Sequence, residues 1–515
     1  MSDSRIKNSK RNLKSAIILQ IINIILPFVV RTLILYKLGE EYQGLNGLFT
    51  SILQVLNLTD LGFSSAVVYI LYKPIAIGDN DTVCALISYL KRVYRIIGIV
   101  ILAIGLILLP FLKFLIKGSY PDEVNIYLLY FIYLSNSVIS YWLFAYKTAL
   151  LLAMQRADLT DKISSIIKSS MFIVQAVVLF VFGNYYVYVI FLPIFSIINN
   201  LLVQFVSKKY FPQITPYGKI SENIKKEITK QVKGVFFNKL SNVCRNTIDT
   251  IVISSLVGLT SVAIYNNYFY IFTAIYGVSL TVSNCMQASV GNSIATEGVE
   301  RNYKNLIKFT FIFSWFTSMC TICLCCLYQP FVKIWMSGNK NLMLSDFNMF
   351  LFCTYFYVIT SCNIRNLYIS GSGLFWELRL SYFMEAAGNI ILSFVLGYYF
   401  GVTGVLLATI ITIVLFNFLS RNRVLFKSYF QRTIKEYYID HVLYLFVTIV
   451  NCILTYTICS LIHIEGMAGL IIKLLICLSI PNALNLLVYF KTKRFKEAFK
   501  FIKSVFIRKN RSEER

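Results

Sequence analysis

The chain is short of charge. Only 14% of its residues are Asp, Glu, Lys or Arg, about half of the roughly 25% carried by an ordinary soluble domain, which excludes a soluble enzyme. It has two histidines, His441 and His463, at opposite ends of one apolar stretch, too far apart to form a cluster. No G-x-x-x-x-G-K-[ST] stretch occurs, which excludes nucleotide hydrolysis through a P-loop. The longest polar connection, 207–233, is a short Lys-rich amphipathic segment with no room for a catalytic domain. No enzymatic activity and no cofactor are therefore expected. Twelve cysteines are present, but most lie inside apolar runs, as do Cys320, Cys323, Cys325, Cys326, Cys353 and Cys362, where a thiol behaves as a small buried hydrophobe. Cys323 and Cys326 have CxxC spacing. At lipid depth and with no matching second pair, they are not expected to hold a metal.

What the chain has is apolar length. Of its 515 residues 57% are hydrophobic and 16% aromatic, mean hydropathy is +0.67, and the apolar residues run in blocks of twenty or more. Each block can cross about 30 Å of hydrocarbon as a helix, whereas barrel strands are short and alternate. The fold class expected is an all-α polytopic membrane protein of about fourteen transmembrane helices. Spans are placed near 15–38, 45–72, 94–116, 125–150, 163–183, 185–206, 235–257, 263–290, 305–328, 346–369, 380–399, 402–420, 441–462 and 467–490. The basic N-terminus, MSDSRIKNSKRNLK, has the look of a signal peptide's charged region. The apolar stretch after it contains Arg31 and no small-residue cleavage site, so it is expected to remain as the first membrane helix.

The net charge is +25, and its distribution argues against nucleic acid as a partner. Of 49 Lys and Arg, 40 fall in segments on the side of the two termini and five on the other side; Arg31, Lys239, Arg245 and Lys473 lie within spans. That asymmetry is the positive-inside signal, with both termini cytoplasmic. The basic tail, 491–515, and the segment 207–233 are then where anionic lipid attracts cations.

A repeat with a period near 219 runs through the chain. Leu38-Gly39 precedes a helix that opens on Gly44-Leu45-Asn46-Gly47-Leu48-Phe49; Val257-Gly258 precedes one that opens on Ile264-Tyr265-Asn266-Asn267-Tyr268-Phe269. The organisation expected is a six-helix lobe over 1–206, a basic linker over 207–233, a second six-helix lobe over 234–420, two further helices over 421–490 and the tail. Repeats of one orientation bind substrates at their interface. The first helix of each half carries a polar face: Gln20, Asn23, Pro27 and Arg31 in one, and Asn238, Asn242, Arg245 and Asp249 in the other. Of these, Gln20, Asn23, Arg31, Asn238, Asn242 and Arg245, with a hydrated cavity between spans 1, 2, 7 and 8, are the candidate substrate-binding group, and Asp249 is a candidate coupling or pairing carboxylate. Intramembrane Arg is costly and so pairs or lines water. Arg245 and Asp249, four residues apart, could simply neutralise each other, while Arg31 has no such partner in its own helix. Lys239 and Lys473 lie near span ends, where snorkelling is an equal explanation. The second span adds Asn46, Thr50, Gln54, Asn57, Asp60 and Ser64 along one face, and Asp60 is the candidate ion-coupling or pairing carboxylate. Glu385 is similarly placed. Asn284 and Gln287 are expected to join helices.

The segments RTLILYKLGEEYQGLNGLFTSILQVLNLTDLGFSSAVVYILYKPIA (31–76) and RNTIDTIVISSLVGLTSVAIYNNY (245–268) resemble bacterial polysaccharide flippases of the Wzx type, in the multidrug/oligosaccharidyl-lipid/polysaccharide exporter superfamily. The resemblance implies two six-helix lobes around a central cavity with two additional helices, in the bacterial cytoplasmic membrane. The implied substrate is an undecaprenyl-diphosphate-linked oligosaccharide for capsule, O-antigen or exopolysaccharide synthesis, with Arg31 and Arg245 as the cavity cations that would engage it. The polysaccharide polymerase and chain-length machinery are the implied partners. The alternatives are a cation-coupled multidrug antiporter of the same fold, a peptidoglycan-precursor flippase, and a non-transporting scaffold of a polysaccharide assembly complex.

Overall fold

The computed structural model describes residues 2–60, 62–501 and 503, with side chains from residue 18 onward except those of 20, 59, 234, 285 and 288. Among the described residues every regular element is a helix. In chain order these are α1 (Ser2–Lys37), α2 (Glu40–Leu56), α3 (Phe63–Ile77), α4 (Asn80–Leu108), α5 (Ile126–Trp142), α6 (Tyr146–Ala153), α7 (Ala157–Phe182), α8 (Tyr185–Tyr210) and α9 (Glu222–Leu256). They continue as α10 (Leu259–Thr296), α11 (Val299–Trp335), α12 (Asp346–Ser361), α13 (Asn363–Ser372), α14 (Arg379–Thr412), α15 (Arg421–Leu425), α16 (Lys435–Ser460) and α17 (Gly466–Tyr489). Three pairs, α2–α3, α5–α6 and α12–α13, follow one another across short breaks, and α14 turns at Gly401 (φ 58, ψ −134). Its second half runs on through π-helical turns at 413–420 and 426–430 around α15. Grouped in this way the helices make fourteen segments, in keeping with the expected number. By length and apolarity alone, nine of the described helices can cross a membrane, or ten if the α5–α6 pair, bent by 49°, is one span.

The breaks are where sequence and structure part. The expected continuous span 45–72 is interrupted: α2 ends at Leu56, a 3-10 turn covers 57–60, and Gly62 takes the left-handed φ of 83° that restarts the chain as α3. The apolar run carries straight through this point, so hydropathy could not register it. The segment 207–233 is also partly helical, because Ser221 caps Ile224 N–H with its side chain and α9 begins at Glu222.

The chain forms two compact units, 1–263 and 264–515. Their boundary lies within α10 rather than across 207–233, because α9 packs on α2 and α3 of the first unit. Lys117 Nζ donates to Leu256 O at 2.6 Å and Ser254 Oγ to Leu115 O at 2.6 Å, which ties the end of α9 down. Inside the first unit, α1 lies on α7, α5 on α8 and α4 on α5, around a core that includes Phe49, Leu90, Tyr130 and Tyr133. In the second, α11 packs against α12, α16 and α17. Part of the basic tail, 493–501, is helical and docks there. Ala498 is buried with Phe311, Tyr444 and Tyr489, and Phe495 packs against the same cluster.

The repeat is visible in the backbone. Left-handed glycines recur at matching places: Gly39 and Gly258 (φ 105 and 131), Gly118 and Gly338 (86 and 79), Gly183 and Gly401 (56 and 58). One further glycine is demanded by packing. A methyl group on Gly44 of α2 would overlap the carbonyl oxygen of Leu259, a backbone atom with little freedom to move. Gly44→Ala should therefore lower stability by about 1–3 kcal/mol, the usual cost of overpacking, read as a lower thermal midpoint in detergent. Gly291→Ala, with nothing within 4 Å of the added methyl, is the control and should leave the midpoint unchanged.

Candidate functional site

The polar face expected on α9 is present as a bonded row. Asn242 Nδ2 donates to Asn238 Oδ1 at 2.8 Å, and Arg245 Nη2 donates to Asn242 Oδ1 at 2.5 Å. Arg245 is only 7% exposed and Asp249 1%, so the row runs from a half-buried end at Asn238 to a buried one. The i, i+4, i+7 spacing makes this possible by stacking the three side chains on one helical face.

Lys239, one residue along, points elsewhere. Its Nζ meets Asp60 Oδ2 at 3.1 Å, so the cation beside Asp60 is Lys239, and this ion pair rather than snorkelling accounts for the lysine. The break after α2 makes the contact possible by placing Asp60 on a 3-10 turn against α9. Tyr94 and Tyr141 lie within electrostatic reach of Asp60, and their rings pack edge to face at 5.5 Å. Asp60 Oδ1 is buried and accepts no hydrogen bond among the described residues. The rest of the expected stripe disperses. Asn46 accepts from Tyr133 Oη at 2.6 Å, whereas Thr50 and Gln54 are exposed.

On α1, Asn23 Oδ1 accepts from Lys168 Nζ of α7 at 3.0 Å. Arg31 is half-buried and interacts electrostatically with Tyr188 of α8. Tyr188 stacks on Tyr185 at 5.5 Å, whose hydroxyl meets that of Tyr133 at 3.1 Å. The side chain of Gln20 lies outside the described residues. Lys168 and this tyrosine group were missed by the sequence reading. The lysine was pooled with the charges of a helix end, and tyrosines in an apolar run carry no polar periodicity.

A second missed set lies in the second unit. Arg365 of α13 is fully buried. Its Nη1 donates to Asn417 O at 2.5 Å, and its Nη2 to Asn417 Oδ1 at 2.6 Å and Asn366 Oδ1 at 2.7 Å. Beside it, Arg421 and Glu385 form an ion pair, 4% and 1% exposed, with the Arg421 guanidinium 4.0 Å from the centre of the Tyr382 ring. Asn417 sits in the π-helical turn at 413–420, which supplies the carbonyl that Arg365 holds. Lys147 occupies the matching place in the first unit, 218 residues earlier. It too is buried and donates to a backbone carbonyl, Ile214 O, at 3.1 Å. None of these three cations was among the four expected inside spans, because each lies near a span end where a charge ordinarily reaches water. Asn284 and Gln287 are exposed on α10, so they do not join helices as expected.

The cysteines are more organised than expected. Cys326 of the CxxC on α11 meets two cysteines from α16 and α17: Cys459 and Cys477 have their Sγ atoms 4.0 Å apart, and those of Cys326, Cys459 and Cys477 all lie within 4.8 Å of one another.

No curated protein matches the sequence. Among solved structures the fold is similar to "Lipid II flippase MurJ, inward closed conformation", with TM-score 0.65 and 14% identity over 94% of this chain and 99% of that one. It is also similar to an inward-facing multidrug resistance MATE family transporter of the MOP superfamily, at 0.61 and 13% over 80% and 98%. A MOP superfamily transporter from Pyrococcus furiosus follows at 0.57 and 11% over 83% and 97%. Such identities establish the fold and nothing finer. A family model described as "Polysaccharide biosynthesis protein" matches residues 9–285, more than half of the chain, and the chain belongs to that family.

Proposed function

We propose that the protein flips an undecaprenyl-diphosphate-linked oligosaccharide from the cytoplasmic to the outer leaflet of a bacterial cytoplasmic membrane, in capsule, O-antigen or exopolysaccharide synthesis. The observation that carries this reading is the buried guanidinium of Arg245, held by the Asn238–Asn242 row. A diphosphate does not cross hydrocarbon unaided, and an orientationally fixed Arg offers two parallel donors to phosphate oxygens. Arg31, Asn23 and Lys168 add cationic and polar groups along α1 and α7 suited to the head group and its first sugars. Asp249 holds Arg245 in place. The polysaccharide polymerase and chain-length machinery would receive the product. The test is reconstitution: proteoliposomes holding a lipid-linked oligosaccharide on the inner leaflet should expose it to a glycan-binding protein added outside, and empty liposomes should not. Failure with the oligosaccharide, together with flipping of a peptidoglycan precursor, would move the substrate to that class.

Asp60 carries the coupling part of this reading. A carboxylate with one oxygen paired to Lys239 and the other buried with no hydrogen-bond partner among the described residues can exchange a proton or cation as its surroundings open and close. An imposed proton or sodium gradient should raise the wild-type initial rate severalfold, and Asp60→Asn should abolish that response while keeping the gradient-free rate within about twofold. If Asp60→Asn responds to gradients as wild type does, Asp60 is structural. If gradients never matter, export is driven by consumption of the product.

A further inference from the structure

We propose that the second unit contains a thiolate site for one soft d10 cation, of the class that includes zinc and cuprous copper, built from Cys326, Cys459 and Cys477. Cys323 and Cys326 are one turn apart on α11, so both point the same way. Cys459 is the penultimate residue of α16, and Cys477 lies in α17. Cys477 is the hub. Its Sγ is 4.0 Å from that of Cys459, all three of Cys326, Cys459 and Cys477 fall within 4.8 Å of one another, and Cys323 packs beside them, partly buried. A tetrahedral ion with metal–sulfur bonds of about 2.3 Å sets sulfur–sulfur distances near 3.8 Å, so the thiols need to close by less than about 1 Å. Cysteines serving only as small core residues have no reason to converge from three helices on a single point.

The surroundings suit such an ion. A cavity of about 560 Å³ reaches Cys326 and Cys459 and is also lined by Met343, Met349 and His463, thioether and imidazole groups of the softness that passes such cations along. Lys473 lines the same cavity, as does the Lys333–Glu465 ion pair at 2.8 Å, and the Lys473 ammonium offsets part of the net negative charge of a thiolate-bound cation. Binding replaces each S–H by an S–metal bond and releases one proton per thiol. No electron moves, and neither oxidant nor reductant is needed. The consequence is mechanical: the ion fastens α16 and α17 to α11.

The full chain, purified in detergent with its thiols reduced, should take up one zinc or one cuprous ion from a competing chelator. X-ray absorption at the metal edge should show a sulfur shell near 2.3 Å, of three sulfurs for either ion, with one nitrogen or oxygen ligand completing the shell of zinc. Cys477→Ala should weaken binding at least about 100-fold and remove the metal-dependent rise in thermal midpoint. Cys353→Ser, whose thiol instead meets Met349 Sδ at 3.7 Å, should bind as wild type does. A first shell of nitrogen and oxygen, uptake well below one ion per chain, or undiminished affinity in Cys477→Ala would overturn the proposal. So would recovery of a Cys459–Cys477 disulfide from cells in place of alkylatable thiols. The absorption spectrum is taken on wild type and decides the matter even if Cys477→Ala does not fold.

Discussion

Arg245→Ala should reduce flipping of the lipid-linked oligosaccharide at least tenfold and up to about a hundredfold. A hydrogen bond to a charged group contributes roughly 1.5–3 kcal/mol, and each 1.4 kcal/mol is a factor of ten. The expectation is this large because the guanidinium is nine-tenths buried and its direction is set by Asn242 at 2.5 Å, itself held by Asn238 at 2.8 Å. Arg245→Lys keeps the charge but loses the planar fork, so it should retain only part of the rate. Asn242→Ala leaves Arg245 in place with its direction released and should fall between the two. Initial rates in proteoliposomes, normalised to protein inserted, separate these variants. The alternative is that Arg245 and Asp249 merely cancel each other's burial. In that case Arg245→Leu with Asp249→Leu should export as wild type does, because removing both charges also removes the desolvation penalty. Recovery in that double variant would end the substrate role of Arg245.

The largest stability effect is expected at the other buried pair. Arg421→Leu strands the Glu385 carboxylate, 1% exposed, beside Asn417, and breaking one partner of a buried pair costs about 3–5 kcal/mol. It also strips the cation from the face of Tyr382, worth a further ~1–2 kcal/mol when desolvated. The thermal midpoint should fall by several degrees. Glu385→Leu with Arg421→Leu should recover most of the loss, since an apolar pair of similar volume carries no charge to desolvate. If the double variant is no more stable than Arg421→Leu alone, the stability lies in the bonds Arg421 makes outside the pair. Arg365→Met should also lower the midpoint, because it abandons Asn417 O, Asn417 Oδ1 and Asn366 Oδ1 together.

How much of this was legible follows from what each signal depends on. Span number and repeat period depend on the solvent, because twenty apolar residues partition into hydrocarbon whatever their neighbours are. Hence the expected number of segments and the correspondence of Gly39 with Gly258 follow from local sequence, whereas the match of Gly183 with Gly401 emerges from their backbone angles. The Asn238–Asn242–Arg245 row is equally local, since its spacing lies within one helix. The partners were not legible. Lys239 and Asp60 are 179 residues apart, Lys168 and Asn23 are 145 apart, and no periodicity links such positions.

Sequence alone thus determined that the chain is a helical membrane protein built as a repeat, with a polar, cationic face on the first helix of each half, because burial of apolar length and helical spacing are properties of each segment. Only the tertiary structure decided where helices break, which cations are buried and what they hold. It placed Asp60 on a turn against α9, closed Arg365 onto a π-helical carbonyl, and brought Cys459 of α16 and Cys477 of α17 to Cys326 of α11. Each of these contacts joins helices far apart in the chain, and they form only where packing brings groups together that could not stay buried singly without a partner.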